Sequence, residues 1–355
     1  MTELPLSNIS SIVKEKSLLS KKEKASLRVV IRPYKLIDGS EKHLIRCIGD
    51  GSIITRFEKT PLPSNPTDVV CPHFLELKWA YGCPFDCSWC YLKGTFRFRP
   101  EGIKPVIKDY AKIEQHVKEF FDVETHGHAS LPPEILNTGE IADSLMWENG
   151  YKPFSKFIIP LFESQNKHKV LFLTKSTNIK NLLEIESHKQ AIISFSLNAD
   201  KVAKKWEKKA PPVSKRIEAA GKLAKAGYEV RLRIDPMVPV SGWQEGYLEL
   251  IGQIFAEFKP ERITLGSLRG LQSTINGTKD KSWKIYLEEK SNWGKKIEFS
   301  NRYTMYLHLI KHLKEIYNYS DVSLCKETVQ MWDKLRSRFE SPNMDCKIIK
   351  CNCIW

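Results

Sequence analysis

Seven short apolar segments alternate with amphipathic stretches of helix length, and this alternation constrains the fold more than any other feature. The predicted strands are residues 74–80, 132–138, 169–176, 191–198, 228–235, 262–268 and 321–325. The predicted helices are residues 108–122, 151–166, 177–187, 212–226, 243–258, 301–317 and 326–339. Apolar strands separated by helices are typical of βα units, whose parallel sheet is buried on both faces. With 355 residues, the chain can form one α/β barrel of ordinary size with additions.

Polar residues stand at the carboxyl ends of the predicted strands. In a parallel barrel these ends form one face, and the chemistry of such folds is found there. We therefore expect a single mouth to which several strands contribute. The residues are Thr138, Gly139, Glu140, Thr174, Lys175, Ser176, Ser196, Asn198, Arg233, Asp235 and Cys325.

A cysteine triplet follows the first predicted strand. Cys83, Cys87 and Cys90 have the spacing Cys-x3-Cys-x2-Cys within a short loop. Three thiolates are one fewer than the usual four ligands of an iron–sulfur cubane, so one iron would stay open to a ligand that is not protein. S-adenosylmethionine can chelate that iron, and its reductive cleavage yields a 5′-deoxyadenosyl radical. The triplet therefore predicts a [4Fe-4S] cluster that works with this cofactor.

Two other interpretations of the triplet stay open. A zinc ion could bind the three thiols with His73 or Cys71 as the fourth ligand, although zinc sites usually pair separated Cys-x2–4-Cys or His motifs. The three thiols could also be unliganded core residues, although free buried cysteines rarely cluster this closely.

Composition indicates the compartment and a class of partner. The nine cysteines are an odd number, and the first residues lack the apolar core of a secretory signal, so we expect reduced thiols in the cytoplasm. No run of 18 apolar residues occurs, which predicts that the chain does not span a membrane. The formal net charge is +14, which favours a polyanionic partner such as DNA or RNA, or reflects solvated lysine runs on helix faces.

Several longer motifs resemble one known family over roughly residues 70 to 250. They are GCPFDCSWCYLKGT, NTGEIADSL, LTKSTNI, SFSLNADKVAKKWE and RIEAAGKLAKAGYEVRLRIDPMVPVSGWQEGY. The chain resembles the radical S-adenosylmethionine enzymes and, within them, the spore photoproduct lyase group. The resemblance implies a partial (β/α)6 TIM-type barrel, a [4Fe-4S] cluster, S-adenosyl-L-methionine, and an electron donor such as flavodoxin or ferredoxin. On this basis we divide the chain into an N-terminal extension (1–69), a barrel (70–325) with a polar insertion (269–300), and a cysteine-containing tail (326–355).

The resemblance also implies roles for single residues beyond the three cluster cysteines. Tyr91 matches a tyrosine that lies near the cofactor and is proposed to relay hydrogen. Gly139 and Glu140 match the element that receives the methionine amino group. Lys175 and Ser196 match positions that touch the methionine carboxylate and the ribose. Asp235, at the same predicted mouth, is taken as a further cofactor contact.

Two residues depart from the pattern of the lyases. Asn137 stands where the lyases carry a cysteine that returns hydrogen to the product radical, and an amide cannot donate a hydrogen atom. Trp89 replaces the tyrosine that precedes the third cluster cysteine. The hydrogen-return path is therefore incomplete, and efficient repair of the spore thymine dimer is not expected.

Four cysteines near the C-terminus allow three interpretations. Cys325, Cys346, Cys351 and Cys353 match in number the ligands of a second iron–sulfur cluster or a zinc ion. They could instead supply a thiol hydrogen donor at the barrel mouth, for which Cys325 is the best candidate because it ends the last strand. They could also be inert. Cys47 and Cys71 are interpreted as core thiols.

Two basic, aromatic segments favour nucleic acid as the substrate. Arg97, Phe98 and Arg99 follow the triplet, and the insertion carries Trp283 and Trp293, which we expect to be exposed. The leading hypothesis is a radical enzyme that acts on a nucleic-acid base or nucleotide, in lesion repair or base modification. The alternatives are a radical enzyme acting on a peptide or small metabolite, and a metal-stabilised nucleic-acid-binding protein without catalysis.

Overall fold

The structure is a computed structural model that describes residues 27–123, 131–339, 345–347 and 349–355. A ten-stranded sheet forms the centre of this part of the chain. The strand order is β1-β2-β3-β5-β8-β9-β10-β11-β12-β16. Its strands are β1 (Val29–Lys35), β2 (Glu41–Ile48), β3 (Ile54–Arg56), β5 (Leu75–Leu77), β8 (Ile135–Asn137), β9 (Lys169–Thr174), β10 (Ala191–Leu197), β11 (Glu229–Met237), β12 (Arg262–Ser267) and β16 (Val322–Leu324). The shorter strands are β4 (Val69–Val70), β6 (Ala80–Tyr81), β7 (Val106–Ile107), β13 (Arg269–Gly270), β14 (Glu289–Ser291), β15 (Gly294–Lys296) and β17 (Glu327–Thr328).

The helices connect these strands. They are α1 (Leu92–Thr95), α2 (Tyr110–Phe121), α3 (Phe154–Glu163), α4 (Lys180–Leu183), α5 (Asp200–Trp206), α6 (Val213–Lys225), α7 (Trp243–Glu257), α8 (Gln272–Gly277), α9 (Phe299–Tyr317) and α10 (Val329–Phe339), with a 3-10 turn at Ser282–Tyr286. Among the described residues, no helix combines the length and the apolar character that crossing a membrane requires.

The strands from β5 to β16 run parallel, as the alternating pattern predicts. Each neighbouring pair along β5-β8-β9-β10-β11-β12-β16 is parallel. Every residue of the central strand β10 is buried, because helices cover one face and the barrel interior covers the other. The predicted α/β barrel architecture is confirmed, and it brings the carboxyl ends of these strands to one side.

The described part of the N-terminal extension forms regular secondary structure. Residues 27 to 69 contribute β1, β2 and β3, which extend the sheet through antiparallel pairs, with Thr55 opposite Glu76 at the junction to β5. These strands lie at the sheet edge and bury only part of their surface, so they lack the continuous apolar runs that identify the central strands. Residues 1–26 lie outside the described ranges.

The insertion at 269–300 folds back onto the barrel. It forms the β13-β15-β14 sheet, α8 and the 3-10 turn. Trp283, expected to be exposed, has 0% of its surface accessible, and its indole nitrogen donates to the Asp280 carbonyl at 2.8 Å. Trp293 is half-buried beside Phe57. Both tryptophans contribute to the packing of the insertion on the barrel, because burial of a large apolar ring stabilises the fold.

Candidate active site

A cavity of about 280 Å³ opens at the carboxyl ends of the parallel strands. Glu140 follows β8, Lys175 follows β9, Ser196 lies near the end of β10, and Cys325 follows β16, and all four side chains line the cavity. The structure therefore brings together residues that are far apart in sequence, on the face that the parallel topology predicts.

The cysteine triplet lies in the loop between β6 and α1. The Cys83 amide donates to the Ile103 carbonyl at 2.8 Å, and the Ser88 amide donates to the Trp206 carbonyl at 2.8 Å, so both ends of the loop are held. Cys87 and Cys90 line the cavity, and Cys83 lies in the same loop. None of the nine cysteines forms a disulfide. The triplet is thus a fixed group of free thiols at the wall of the cavity.

The position of the triplet suits a cluster better than a single ion. Among the described residues, no three histidine, cysteine or carboxylate side chains are placed to share one metal ion. In a cubane each cysteine binds a different iron, so its ligands need not converge on one point. Burial raises the pKa of Cys83, Cys87 and Cys90, and a bound iron would offset this because the thiolate is the ligand form.

Tyr91 and Trp89 flank the third cysteine of the triplet. Tyr91 lines the cavity, and burial, helped by the negative charge of Glu140, raises the pKa of its phenol well above the usual value. It therefore keeps its O–H at neutral pH. Trp89 packs on Trp206 with 5.4 Å between ring centroids, which shields the loop from solvent.

Gly139 lets β8 approach β9 closely enough to present Glu140. A Cβ atom at Gly139 would lie 2.5 Å from the Cβ of Leu173, so only glycine fits. The Gly139 amide donates to Oδ1 of Asn137 at 2.8 Å. Glu140 lines the cavity, and within the described part of the chain its carboxylate has no ion-pair partner. This carboxylate is available for a ligand cation.

Lys175 is held by two partners. Its Nζ donates to the Ser196 hydroxyl at 2.6 Å and lies 3.2 Å from the Glu207 carboxylate, which pairs in turn with Arg216 at 2.6 Å. Burial opposes ionisation of Glu207, but Lys175 and Arg216 outweigh it and lower the pKa of Glu207. Sequence reasoning identified Lys175 and Ser196 but missed Glu207 and Arg216, whose contact depends on how α5 and α6 pack.

Asp235 is already paired. Its carboxylate accepts two hydrogen bonds from Arg269, at 2.8 and 3.1 Å, as a bidentate ion pair. The predicted cofactor contact through this carboxylate would have to compete with that pair. In this geometry the Asp235 carboxylate holds the Arg269 guanidinium at the cavity wall.

Four thiols outside the triplet line the cavity, but they are not the four that sequence reasoning grouped. Cys325, Cys351 and Cys353 line it as expected, and the fourth is Cys71, which had been interpreted as a core thiol. Cys346 does not line the cavity, and the charges that act on it come from the end of α10 and the residues that follow. Which of these thiols line the cavity depends on how the tail folds, and the spacing of the cysteines in the sequence does not reveal it.

Aromatic and basic side chains border the cavity beside Cys325. The Lys326 ammonium lies 4.6 Å from the ring centroid of Phe57 and 4.4 Å from that of Trp293. The Lys59 ammonium lies 5.9 Å from the ring centroid of Phe57. The cavity is lined by five cationic side chains and two carboxylates. We call Phe57, Lys59, Trp293 and Lys326 the basic rim; of these, sequence reasoning had singled out only Trp293.

The basic segment after the triplet does not reach the cavity. Phe98 is 84% exposed, with the Arg97 guanidinium 4.3 Å from its ring centroid. Arg99 lies over Tyr81 at 4.3 Å. This segment is an outer surface, separate from the residues that line the cavity.

Comparison with known proteins identifies the family to which the chain belongs. A family model described as spore photoproduct lyase matches residues 75–265, just over half of the chain. The spore photoproduct lyase of Bacillus subtilis (strain 168) is 32% identical over 187 residues, which cover 51% of this chain and 50% of that protein. That of Geobacillus sp. (strain Y412MC61) is 26% identical over 182 residues, 49% of each chain. The chain thus spans about half the length of the curated relatives it matches.

Solved structures share the fold. A spore photoproduct lyase complexed with dinucleoside spore photoproduct superimposes with a TM-score of 0.59 at 15% identity, covering 70% of this chain and 75% of that one. A variant lyase with bound AdoMet and dinucleoside spore photoproduct gives a TM-score of 0.58 at 15% identity over the same shares. At this identity the likeness shows the fold, and the matched model shows the family. This chain belongs to the spore photoproduct lyase family.

Proposed function

We propose that this protein is a radical S-adenosylmethionine enzyme that removes a hydrogen atom from a base or nucleotide of DNA or RNA, in lesion repair or base modification. One observation carries the proposal. A single cavity connects the cysteine triplet, at Cys87 and Cys90, with the basic rim, at Phe57 and Lys326. A cofactor bound at the first end would face an anionic, aromatic substrate held at the second.

The residues at the first end fit an iron–sulfur cluster and S-adenosylmethionine. Cys83, Cys87 and Cys90 would hold a [4Fe-4S] cluster and leave one iron for the cofactor. When bound, the cluster would supply one electron that cleaves the sulfonium and leaves a carbon radical. Glu140, which has no ion-pair partner among the described residues, would bind the methionine amino group, and Lys175 would bind the carboxylate.

The residues at the second end fit a nucleotide. Trp293 is only half-buried and lines the cavity, where its ring could stack on a base, a contact that tolerates any base. Lys59 and Lys326 supply positive charge for phosphate groups. A peptide or neutral metabolite would leave this excess of positive charge unmatched.

The proposal predicts formation of 5′-deoxyadenosine after anaerobic reconstitution with iron and sulfide, with dithionite in place of the flavodoxin or ferredoxin that the family resemblance implies. Replacing Cys83, Cys87 or Cys90 with alanine should remove the iron and abolish the product, because no other thiol lies in this loop. The measurements are iron content and product quantified by mass spectrometry.

Cys47→Ala is the matched control. Cys47 is a buried free cysteine on β2, outside the cavity, and its loss should leave iron content and product unchanged. Full activity in any one of the three triplet variants would contradict the proposal. A protein that binds nucleic acid but forms no 5′-deoxyadenosine would instead be a metal-stabilised binding protein.

A further inference from the structure

The last residues of the chain fill the interior of the barrel. Nδ2 of Asn352 donates to the Ser194 hydroxyl and to the Leu232 carbonyl, each at 2.8 Å, and the Thr264 hydroxyl donates to its Oδ1 at 2.8 Å. These partners lie on three neighbouring strands, β10, β11 and β12. Ser194 lies two residues before Ser196, so it shares the sheet face that lines the cavity. Asn352 therefore fixes the tail beneath the cavity floor.

Two arginines hold the main chain around Asn352. Nη1 of Arg231 donates to the carbonyls of Asn352 and Ile354, at 3.0 and 2.8 Å. Nη1 of Arg262 donates to the Cys351 carbonyl at 2.9 Å. Charged donors to buried carbonyls are among the stronger hydrogen bonds in proteins. The positions of the cysteines on either side of Asn352 are thus set by the barrel itself.

Cys353 lies at the cofactor end of the cavity. Its Sγ accepts hydrogen bonds from Nη2 of Arg233 at 3.2 Å and from Nδ2 of Asn137 at 3.6 Å. Asn137 ends β8 immediately before the turn that presents Glu140. The sulfur therefore lies beside the strand that leads to the expected methionine contact, and it lines the cavity.

The protonation of this thiol suits it to donate hydrogen. A cysteine thiol has an ordinary pKa of about 8.5, so it is mostly protonated at neutral pH. Cys353 is buried, and burial disfavours the charged thiolate further. An S–H bond is weaker than the C–H bonds of sugars and bases, so a carbon radical can take its hydrogen atom.

We propose that Cys353 donates the hydrogen atom of its thiol to a carbon-centred radical in the cavity. The S–H bond breaks, a C–H bond forms, and the unpaired electron remains on Sγ of Cys353. One electron from an external reductant, a thiol or dithionite, and one proton from water restore the thiol. This step rests on the proposed function, because it requires that radical chemistry occur in the cavity.

Contacts favour Cys353 over Cys325, which sequence reasoning preferred. Cys325 lies on the opposite edge of the sheet, after β16, with its sulfur 3.5 Å from Nη2 of Arg269. That guanidinium is engaged with Asp235. Cys325 is therefore part of the substrate wall, whereas Cys353 adjoins the strand that carries Asn137.

The test uses S-adenosylmethionine alone as the probe, since the substrate is unidentified. In D2O the cysteine thiols carry deuterium, so a radical quenched by a thiol gains one deuterium. We expect the native reconstituted protein to release deuterated 5′-deoxyadenosine. In Cys353→Ala and Cys353→Ser the deuterated fraction should fall roughly fivefold or more. Cys346→Ala, a buried tail thiol outside the cavity, is the matched control and should give the native fraction.

Other outcomes overturn the inference. An unchanged deuterated fraction in both Cys353 variants, or a loss found only in Tyr91→Phe, would show that Cys353 is not the donor. A fall in iron content by about four atoms in Cys353→Ala would make this thiol a ligand of a second cluster. A Cys353 variant that forms no 5′-deoxyadenosine would also overturn it, since the donor acts after cleavage. Absence of the product from the native protein would contradict the proposed function itself.

Discussion

Lys175 lies between a hydroxyl and a carboxylate, and these partners orient its ammonium toward the cavity. Ser196 accepts its hydrogen bond at 2.6 Å, and Glu207 compensates its charge at 3.2 Å. A flexible lysine usually loses side-chain entropy when it binds a ligand. Here much of that loss has already occurred on folding, so Lys175 is prepared to bind a carboxylate.

Single alanine substitutions at Glu140 and Lys175 should weaken binding of S-adenosylmethionine about 10- to 100-fold, because each removes a charge-assisted hydrogen bond of about 1.5–3 kcal/mol. Equilibrium binding to the anaerobically reconstituted protein measures this, with iron content as the check that the cluster is retained. Lys222→Ala, an exposed lysine on α6, is the control and should bind as the native protein does. Native affinity in both cavity variants would contradict the cofactor assignment.

Residues of one short segment can be predicted from sequence, because their spacing alone keeps them together. Cys83, Cys87 and Cys90 are such a group. Cys353 and Asn137 lie 216 positions apart, and only the folded tail brings their side chains within 3.6 Å. Asn137 was noticed because it departs from the family pattern, but its thiol neighbour could not be found in that way.

At the scale of elements, a buried ion network holds the end of the barrel. Glu327 on β17 lies 3.0 Å from Nζ of Lys296 on β15 and is also paired with Arg302 on α9. The Lys296 ammonium donates to the Lys326 carbonyl at 2.9 Å. The network therefore joins the insertion to the segment that carries Cys325 and Lys326 into the cavity.

Replacing Glu327 with glutamine should lower the free energy of unfolding by about 3–5 kcal/mol, since it leaves two buried cations without their counter-charge. Burial opposes ionisation of Glu327, but Lys296 and Arg302 outweigh it and lower its pKa to about 2. Its stabilisation is therefore complete above its ordinary pKa of 4.5 and is lost as pH falls toward 2. Denaturant unfolding at pH 7 measures the loss.

Glu288→Gln is the matched control, because Glu288 is exposed on the same insertion and should change stability by less than about 0.5 kcal/mol. Equal stability of both variants and the native protein would show that the network does not hold the insertion.

Elements differed in how well they could be predicted. The central strands were found because burial on both faces gives them continuous apolar runs, as in β10. β1 to β3 were missed because edge strands bury less and their pattern is mixed with charge. The predicted helix at 177–187 is only α4, Lys180–Leu183, and the residues on either side of it are not helical.

For the whole molecule, the charge is consistent with the proposed nucleic-acid partner. The formal net charge is +14, and the cavity itself is lined by more cations than carboxylates. A basic protein attracts nucleic acid without sequence preference, and the half-buried ring of Trp293 would then be available to stack on a base that leaves its helix. The described end of the tail is hydrogen-bonded inside the barrel, through Asn352 and the arginines that hold it.

Transfer of hydrogen from nucleic acid to the cofactor fragment tests the central claim most directly. The reconstituted enzyme is given S-adenosylmethionine, dithionite and fully deuterated nucleic acid in ordinary water, with the DNA supplied both native and ultraviolet-irradiated and RNA supplied separately. We expect 5′-deoxyadenosine that carries one deuterium with at least one of these nucleic acids, because the radical takes hydrogen from the bound base or nucleotide. Product without deuterium in every case, formed at a rate that none of the nucleic acids changes, would contradict the account.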